Sequence, residues 1–245
     1  MKIITWNVAG FRRANSLDTW DYSEVDIKYF VDIISDLNPD IVHFQEVEFV
    51  EGVDRVKEIS EILRFENYQG IPMHPNHIGE GELGYAILSK DTISNLNIID
   101  QPYPTFELTF SDGKEAVRYD KKFVSYTSFG LNLTTLQLQP LHYWGYSYYE
   151  EPGYSYGKEI SNNLLSLKSD IITGDFQISH LIVPLENLFT SYNDILPNKF
   201  TRMRKNGKHT KSDHILAKEI IKVESSEVIK TKTDHYLCYA DLTTL

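Results

Sequence analysis

Polar residues stand where short apolar runs begin or end. Asn7 follows Ile3-Ile4-Thr5-Trp6, Glu46 follows Ile41-Val42-His43-Phe44-Gln45, and Asp175 follows Ile171-Ile172-Thr173-Gly174. Asp213 opens the run 214–217, and Asp234 with His235 opens the run 236–240. Strand ends are where a rigid scaffold gathers reactive side chains. The donors are hard oxygens with one imidazole. That set suits Mg²⁺ or Mn²⁺ better than zinc, which takes Cys or several His. Taken singly, each residue also reads as a cap or turn residue, the Asp after Gly174 above all. Their recurrence at run ends is what points to a shared site.

The elements that must hold these residues are short and rich in β-branched side chains. Runs 2–8, 40–45, 84–89, 131–138, 170–173, 214–217 and 236–240 read as strands. Helical spacing appears at 24–37, with Ser23 as the expected cap, Asp26 at the capping-box position and Pro39 as the stop. It recurs at 53–65 and around 158–167. Strands dominate with helices interspersed, so a layered α/β sandwich is expected. The chain has 245 residues and is 41% hydrophobic, enough for one domain spanning 1–245 with a substantial core.

Composition removes several classes of function. No stretch approaches the roughly 20 apolar residues of a membrane span. The start, MKIITWNVAG, does not read as a signal peptide, because Trp6-Asn7 interrupts its apolar run. Cys238 is the one cysteine, which excludes an internal disulfide framework and suits a reducing, cytoplasmic compartment. A net charge of −11 argues against coating nucleic acid by charge alone, yet permits an enzyme that recruits cations to a phosphate. A monomer is expected, and nothing in the sequence identifies a protein partner.

The stretches TWNVAGF, PDIVHFQEVE, GYAILSK, IITGDFQ, KSDHILA and KTDHYLCYADL occur in that order along the chain. In this order they resemble the endonuclease/exonuclease/phosphatase superfamily, over essentially the whole chain. The resemblance implies a four-layer sandwich, with two mixed β-sheets packed face to face and helices outside. It implies a Mg²⁺- or Mn²⁺-dependent phosphoric ester hydrolase. Cleaving a phosphate ester builds charge on the phosphoryl and leaving oxygens, and a metal ion neutralises it. By resemblance Glu46 is the main metal ligand, with Asn7 holding the metal or the carboxylate and Asp234 joining the metal site. Asp175 orients the attacking water or ligates metal. His235 is the catalytic imidazole, with Asp213 fixing its tautomer. Gly174 is expected to let the chain turn sharply and a phosphate approach closely.

Two positions depart from the family pattern. Gln177 stands where Gly-Asp-aromatic is usually followed by Asn, so the carboxamide survives on a side chain one methylene longer. Gln137 stands where many relatives carry a His, and a Gln has no proton to give a leaving group at neutral pH. His142, Tyr143 and Tyr146 follow closely and are candidates to reach the site.

The substrate is read from the stretches beside the site. TRMRKNGKHTK, residues 201–211, sets Arg202, Arg204 and Lys205 with Lys208, His209 and Lys211 in an otherwise acidic chain. It reads equally as a phosphate-gripping loop or as a solvated surface. HYWGYSYYEEPGYSYG lacks interleaved cations and reads as a packed, Tyr-lined segment rather than a base-stacking platform. His43 is expected to be structural, because on a regular strand it lies on the opposite face from Glu46. His77 is a weaker candidate for the site. The leading expectation is a phosphodiesterase acting on nucleic acid. The alternatives are a phosphatase of small phosphorylated molecules and a binding module that kept the fold without turnover. A long positive track would favour nucleic acid, and a closed pocket a small ligand.

Overall fold

The computed structural model describes residues 1–16, 21–76, 79–106, 119–181, 183–196, 199–204 and 207–244. In chain order the elements are β1 (Lys2–Asn7), β2 (Arg12–Ser16), β3 (Asp21–Val25), α1 (Ile27–Leu37), β4 (Ile41–Phe49), α2 (Arg55–Leu63), β5 (Asn67–Pro75), β6 (Glu82–Ser89), β7 (Ser94–Asp100), β8 (Lys122–Ser128) and β9 (Leu131–Gln137). There follow α3 (Gly153–Ser166), β10 (Ile171–Asp175), β11 (Asn193–Asp194), β12 (Arg202–Met203), β13 (His209–Thr210), β14 (Asp213–Ala217), β15 (Ile221–Ile229) and β16 (Leu237–Thr244).

Two six-stranded sheets carry the molecule, ordered β15-β16-β1-β4-β6-β5 and β11-β14-β10-β9-β8-β7. Each is mixed: β1–β4 and β9–β10 are parallel pairs, and the neighbouring pairs are antiparallel. Strand alternation explains why they stack. On β1, Ile4 and Trp6 point outward into a core with Phe30, Val31 and Ile34 of α1 and Val56 and Ile59 of α2. Ile3 points inward, to a core shared with Ile41, Leu133, Ile171 and Ile215 between the sheets. On the far side α3 lays Tyr156, Ile160 and Leu164 against Phe123, Leu136 and Ile172. The result is the expected four-layer sandwich.

The helix ends differ from expectation. Asp26, not Ser23, caps α1, its side chain accepting from Tyr29 N. Ser23 lies in β3, and its hydroxyl is engaged by Arg13 N and the Glu24 carbonyl. Asp54 caps α2, accepting from Lys57 N. The third helix begins at Gly153, earlier than the apolar spacing suggested, and the Trp144, Tyr148 and Tyr156 rings that precede or open it are buried in the α3-side core.

The face between the sheets changes character along the strands. It begins apolar at Ile3, Ile41, Leu133 and Ile171, then turns polar at Thr5, His43, Gln45, Thr135 and Thr173. These polar groups bond one another. Gln45 donates to Thr5 and Thr135, while His43 spans Thr173 Oγ1 and the Tyr126 hydroxyl at 2.6 Å each. One step further along lie Asn7, Gln137, Asp175 and Asp213. The candidate site is the polar mouth of the inter-sheet core.

Candidate active site

Register delivers half of the site as a row. Asp175 of β10 sits abreast of Gln137 on β9 and Asp213 on β14. The facing sheet supplies Asn7, at the end of β1 and abreast of Gln45, and His235, just ahead of β16.

Glu46 arrives by a different device. Alternation along β4 would turn it outward, away from Gln45. The β4–β6 register slips between Gln45 and Val47, and Glu46 has φ +56°. This bulge rotates its carboxylate onto the inner side. There Asn7 Nδ2 donates to Glu46 Oε1 at 2.9 Å and to Asp175 Oδ2 at 3.3 Å. Gln137 Nε2 donates to the same two oxygens at 2.6 and 3.3 Å. The parity expected for His43 and Glu46 therefore does not hold, although His43 is fully occupied in the inter-sheet network.

Gly174 has φ +143°, and a Cβ there would lie 1.9 Å from the Leu136 carbonyl oxygen. The backbone of β9 by itself therefore requires a glycine here.

His235 and Asp213 form a buried pair. Nδ1 lies 3.0 Å from each Asp213 carboxylate oxygen. Nε2 lies 3.8 Å from Asp175 Oδ2 and from Asp234 Oδ2. Burial opposes a charge on the ring, but Asp213, aided by Asp175 and Asp234, outweighs it and pushes the pKa up to about 9. Burial likewise raises the Asp213 carboxyl against the pull of His235. The Asp213 backbone is held by Thr201 Oγ1, which accepts its N–H at 2.9 Å.

Arg202 enters the site through backbone pairing. Residue 202 bridges 235, Met203 N donates to the Asp234 carbonyl, and Tyr236 N donates to the Thr201 carbonyl. The guanidinium is 4% exposed and lies 3.6 Å from Asp234 Oδ2. It donates to Gln177 Oε1 at 3.1 Å, while Gln177 Nε2 donates to Asp175 Oδ2. Gln177, at φ +55°, is therefore a bridge between an acid and a cation. Arg204 is half-buried, Lys208 and His209 are exposed, and Lys205 and His77 lie outside the described residues. His142 is exposed, its ring tilted against Tyr143, which lines the site. Tyr146 packs on Phe106 at the α3 side.

Some of these groups border a cavity of about 40 Å³ whose walls are Tyr22, Glu46, His74, Tyr119, Lys121, Gln137, Pro140, Tyr143, Gln177, Arg202 and Asp234. Tyr22, Tyr119, His74 and Lys121 were not anticipated from sequence. Tyr22, Tyr119 and Lys121 sit in polar stretches without periodicity, and His74 follows Ile71-Pro72-Met73 with no chemical motif around it.

The donor set fits a hard cation. Donor atoms of Asp175, Asp213 and His235 lie within 4.8 Å of one another. Asp213 is committed to Nδ1 of His235, whereas Glu46 and Asp234 border the cavity and the buried Asp175 shares the donors Asn7 and Gln137 with Glu46. Asp234 Oδ1 is buried with no hydrogen-bond partner among the described residues. An orphaned carboxylate oxygen in a cluster of acids is a place for a divalent ion.

Residues 4–235 match the Endonuclease/Exonuclease/phosphatase family. Comparison with curated proteins finds no match. Among solved structures, the chain is similar to an endonuclease/exonuclease/phosphatase from Beutenbergia cavernae, at 14% identity and TM-score 0.73, covering 100% of this chain and 71% of that one. It is similar to a mannosyl-6-phosphatase from Bacteroides thetaiotaomicron, at 15% identity, TM-score 0.67 and 99% coverage of both chains. It is also similar to an AP endonuclease from Archaeoglobus fulgidus, at 14% identity, TM-score 0.65 and 100% coverage of both.

Proposed function

The chain belongs to the endonuclease/exonuclease/phosphatase family, and from that premise we propose that it is a Mg²⁺- or Mn²⁺-dependent phosphoric ester hydrolase whose substrate inserts a phosphate into the narrow cavity. Glu46, Asp175 and Asp234, steadied by Asn7, would hold the ion. When bound, the ion supplies Lewis-acid polarisation of a phosphoryl oxygen and acidifies a water. Arg202, buried and fixed by Gln177 and Asp234, neutralises phosphoryl charge in a site with little water. His235 keeps Nδ1–H on Asp213 and turns Nε2 to the mouth. The intact His235–Asp213 pair beside the acids favours turnover over a pure binding role.

The observation that carries the substrate class is the shape and lining of the cavity. Its space of about 40 Å³ matches a few waters or one phosphoryl group, and Tyr22, Tyr119 and Tyr143 crowd it. A narrow pocket of this kind suits a terminal phosphate ester of a small phosphorylated molecule. From sequence, phosphodiesters of nucleic acid stand first. That second reading keeps one support, the cations Arg204 and Lys208 of the basic run that holds Arg202. If they track a phosphate chain, neutralising both should flatten the salt dependence of binding by about two units.

A hydrolysis screen with Mg²⁺ and Mn²⁺ tests the reading. It sets sugar phosphates, nucleotides and other phosphorylated small molecules beside duplex DNA, single-stranded DNA and RNA. Metal-dependent release of phosphate from a small molecule, faster than cleavage of any internal diester, is the expected result. Rapid cleavage of polynucleotides with inert small esters would reverse the order of the two readings.

A further inference from the structure

Lys121 lines the cavity and has no part in the chemistry described so far. It lies one residue ahead of β8, and it is 6% exposed. Its ammonium donates to Gln137 Oε1 and, at 3.1 Å, to His74 Nε2. His74 Nδ1 lies 3.1 Å from the Pro75 carbonyl oxygen. A carbonyl only accepts, so the imidazole proton sits on Nδ1 and Nε2 is the acceptor the ammonium needs. On its other side Gln137 Nε2 donates to Glu46 and Asp175. The amide is thus locked with its oxygen toward Lys121, and Gln137 has no proton to offer a leaving group. An ammonium has three N–H donors. Gln137 and His74 take two; the nitrogen lies 5.5 Å from the centre of the Tyr119 ring, and among the described residues no other nitrogen or oxygen accepts the third.

We propose that Lys121 meets the leaving oxygen of the ester, donating this third N–H to it as the phosphorus–oxygen bond breaks. The inference rests on the hydrolase reading above. A water oxygen forms the new bond to phosphorus and releases one proton to solvent. The electron pair of the broken ester bond passes to the leaving oxygen, which takes a proton from the ammonium and departs as an alcohol. Solvent returns a proton to Lys121. Position agrees with this role, since Lys121 and Arg202 both line the cavity that the carboxylates border. Burial, opposed by Glu46 and Asp175, lowers the Lys121 pKa to about 8, so the side chain is charged at neutral pH yet a better proton donor than an exposed lysine.

The test is a leaving-group series. Phosphate mono- and diesters with nitrophenyl, phenyl and alkyl leaving groups are assayed with Mg²⁺, using the unmodified protein, Lys121→Gln and Lys121→Met. Help to a leaving oxygen matters most where the leaving group is poorest. The expected loss in kcat/KM is about 100-fold on the alkyl ester and under about fivefold on the nitrophenyl ester. His74→Ala, which removes the acceptor that holds the ammonium, should steepen the same dependence with smaller amplitude. Thermal melting identifies folded variants, and His74→Ala decides the matter if both Lys121 variants unfold. Equal loss across the three leaving groups in folded variants overturns the proposal and leaves the hydrolase reading standing. Failure of the unmodified protein to turn over any ester with metal overturns both.

Discussion

Both carboxylate oxygens of Asp213 lie 3.0 Å from Nδ1 of His235, although the two residues are 22 positions apart in sequence. The pair is buried, and the His235 carbonyl is itself pinned by Trp6 Nε1 at 3.1 Å. The imidazole thus has one tautomer and one orientation available. Removing it should cost more than loosening it. His235→Ala is expected to lower kcat by about 10³-fold or more, and Asp213→Asn by a smaller factor. Steady-state kinetics on the best substrate of the screen measures both, and full activity in His235→Ala would falsify the role given to the ring.

The His235 proton should also report the ion. Without a cation, Asp213, Asp175 and Asp234 hold its pKa up at about 9. A divalent cation offsets the charges of Asp175 and Asp234, so the proton becomes easier to lose. An NMR titration of His235 should show a value near 9 in chelator and a value lower by about one unit or more with saturating Mg²⁺. An unchanged titration would place the ion away from these acids.

Gln177 joins Asp175 to Arg202, and each end of its amide is used. Gln177→Ala releases the guanidinium and removes a donor from Asp175, so a loss of about 10- to 100-fold in kcat is expected. Gln177→Asn, one methylene shorter, keeps the amide but cannot hold both partners at their present positions. It should fall between Ala and the unmodified protein. Equal rates for the Ala and Asn variants would show that the bridge has no bearing on turnover.

His43 predicts an acid limb of stability. Burial lowers its pKa from 6.5 to about 3, and the neutral ring bonds Thr173 and Tyr126. The unfolded chain binds a proton below pH 6.5 that the folded chain refuses. This stability is therefore complete above the unfolded value and is lost as pH falls from 6.5 toward 3. By pH 5 the loss from this residue is about 2 kcal/mol. Urea unfolding at pH 7 and pH 5 should show that component in the unmodified protein and lack it in His43→Gln.

Much of the site was legible from strand ends, and the rest was hidden by distance and by irregular backbone. Asn7, Asp175, Asp213 and His235 each follow or precede a short apolar run, so their clustering needed only that the runs share two sheets. Glu46 was legible as a residue but not in its direction, because the bulge that turns it inward has no signature in IVHFQEVE. Arg202 stood out in a basic run that reads equally as a phosphate grip or a solvated surface; the bridge to residue 235 buries it. Lys121 and Tyr22 sit in polar stretches whose partners are strands far away in sequence. The pair Lys121-Lys122 just ahead of the apolar Phe123-Val124 was the one available signal for Lys121. Ser23 was misread as a helix cap because its hydroxyl is spent within the β2–β3 hairpin, leaving Asp26 to cap α1.

The most direct measurement is the metal dependence of ester hydrolysis by the unmodified protein and by Asp175→Asn. Asp175 touches Asn7, Gln137 and Gln177 and lies 3.8 Å from His235 Nε2, so every part of the proposed machinery meets there. Turnover should require Mg²⁺ or Mn²⁺, disappear in chelator, and fall by about 10³-fold in Asp175→Asn at saturating metal. Hydrolysis that persists in chelator, or an Asp175→Asn variant as active as the unmodified protein, would contradict a metal-dependent site at this cluster.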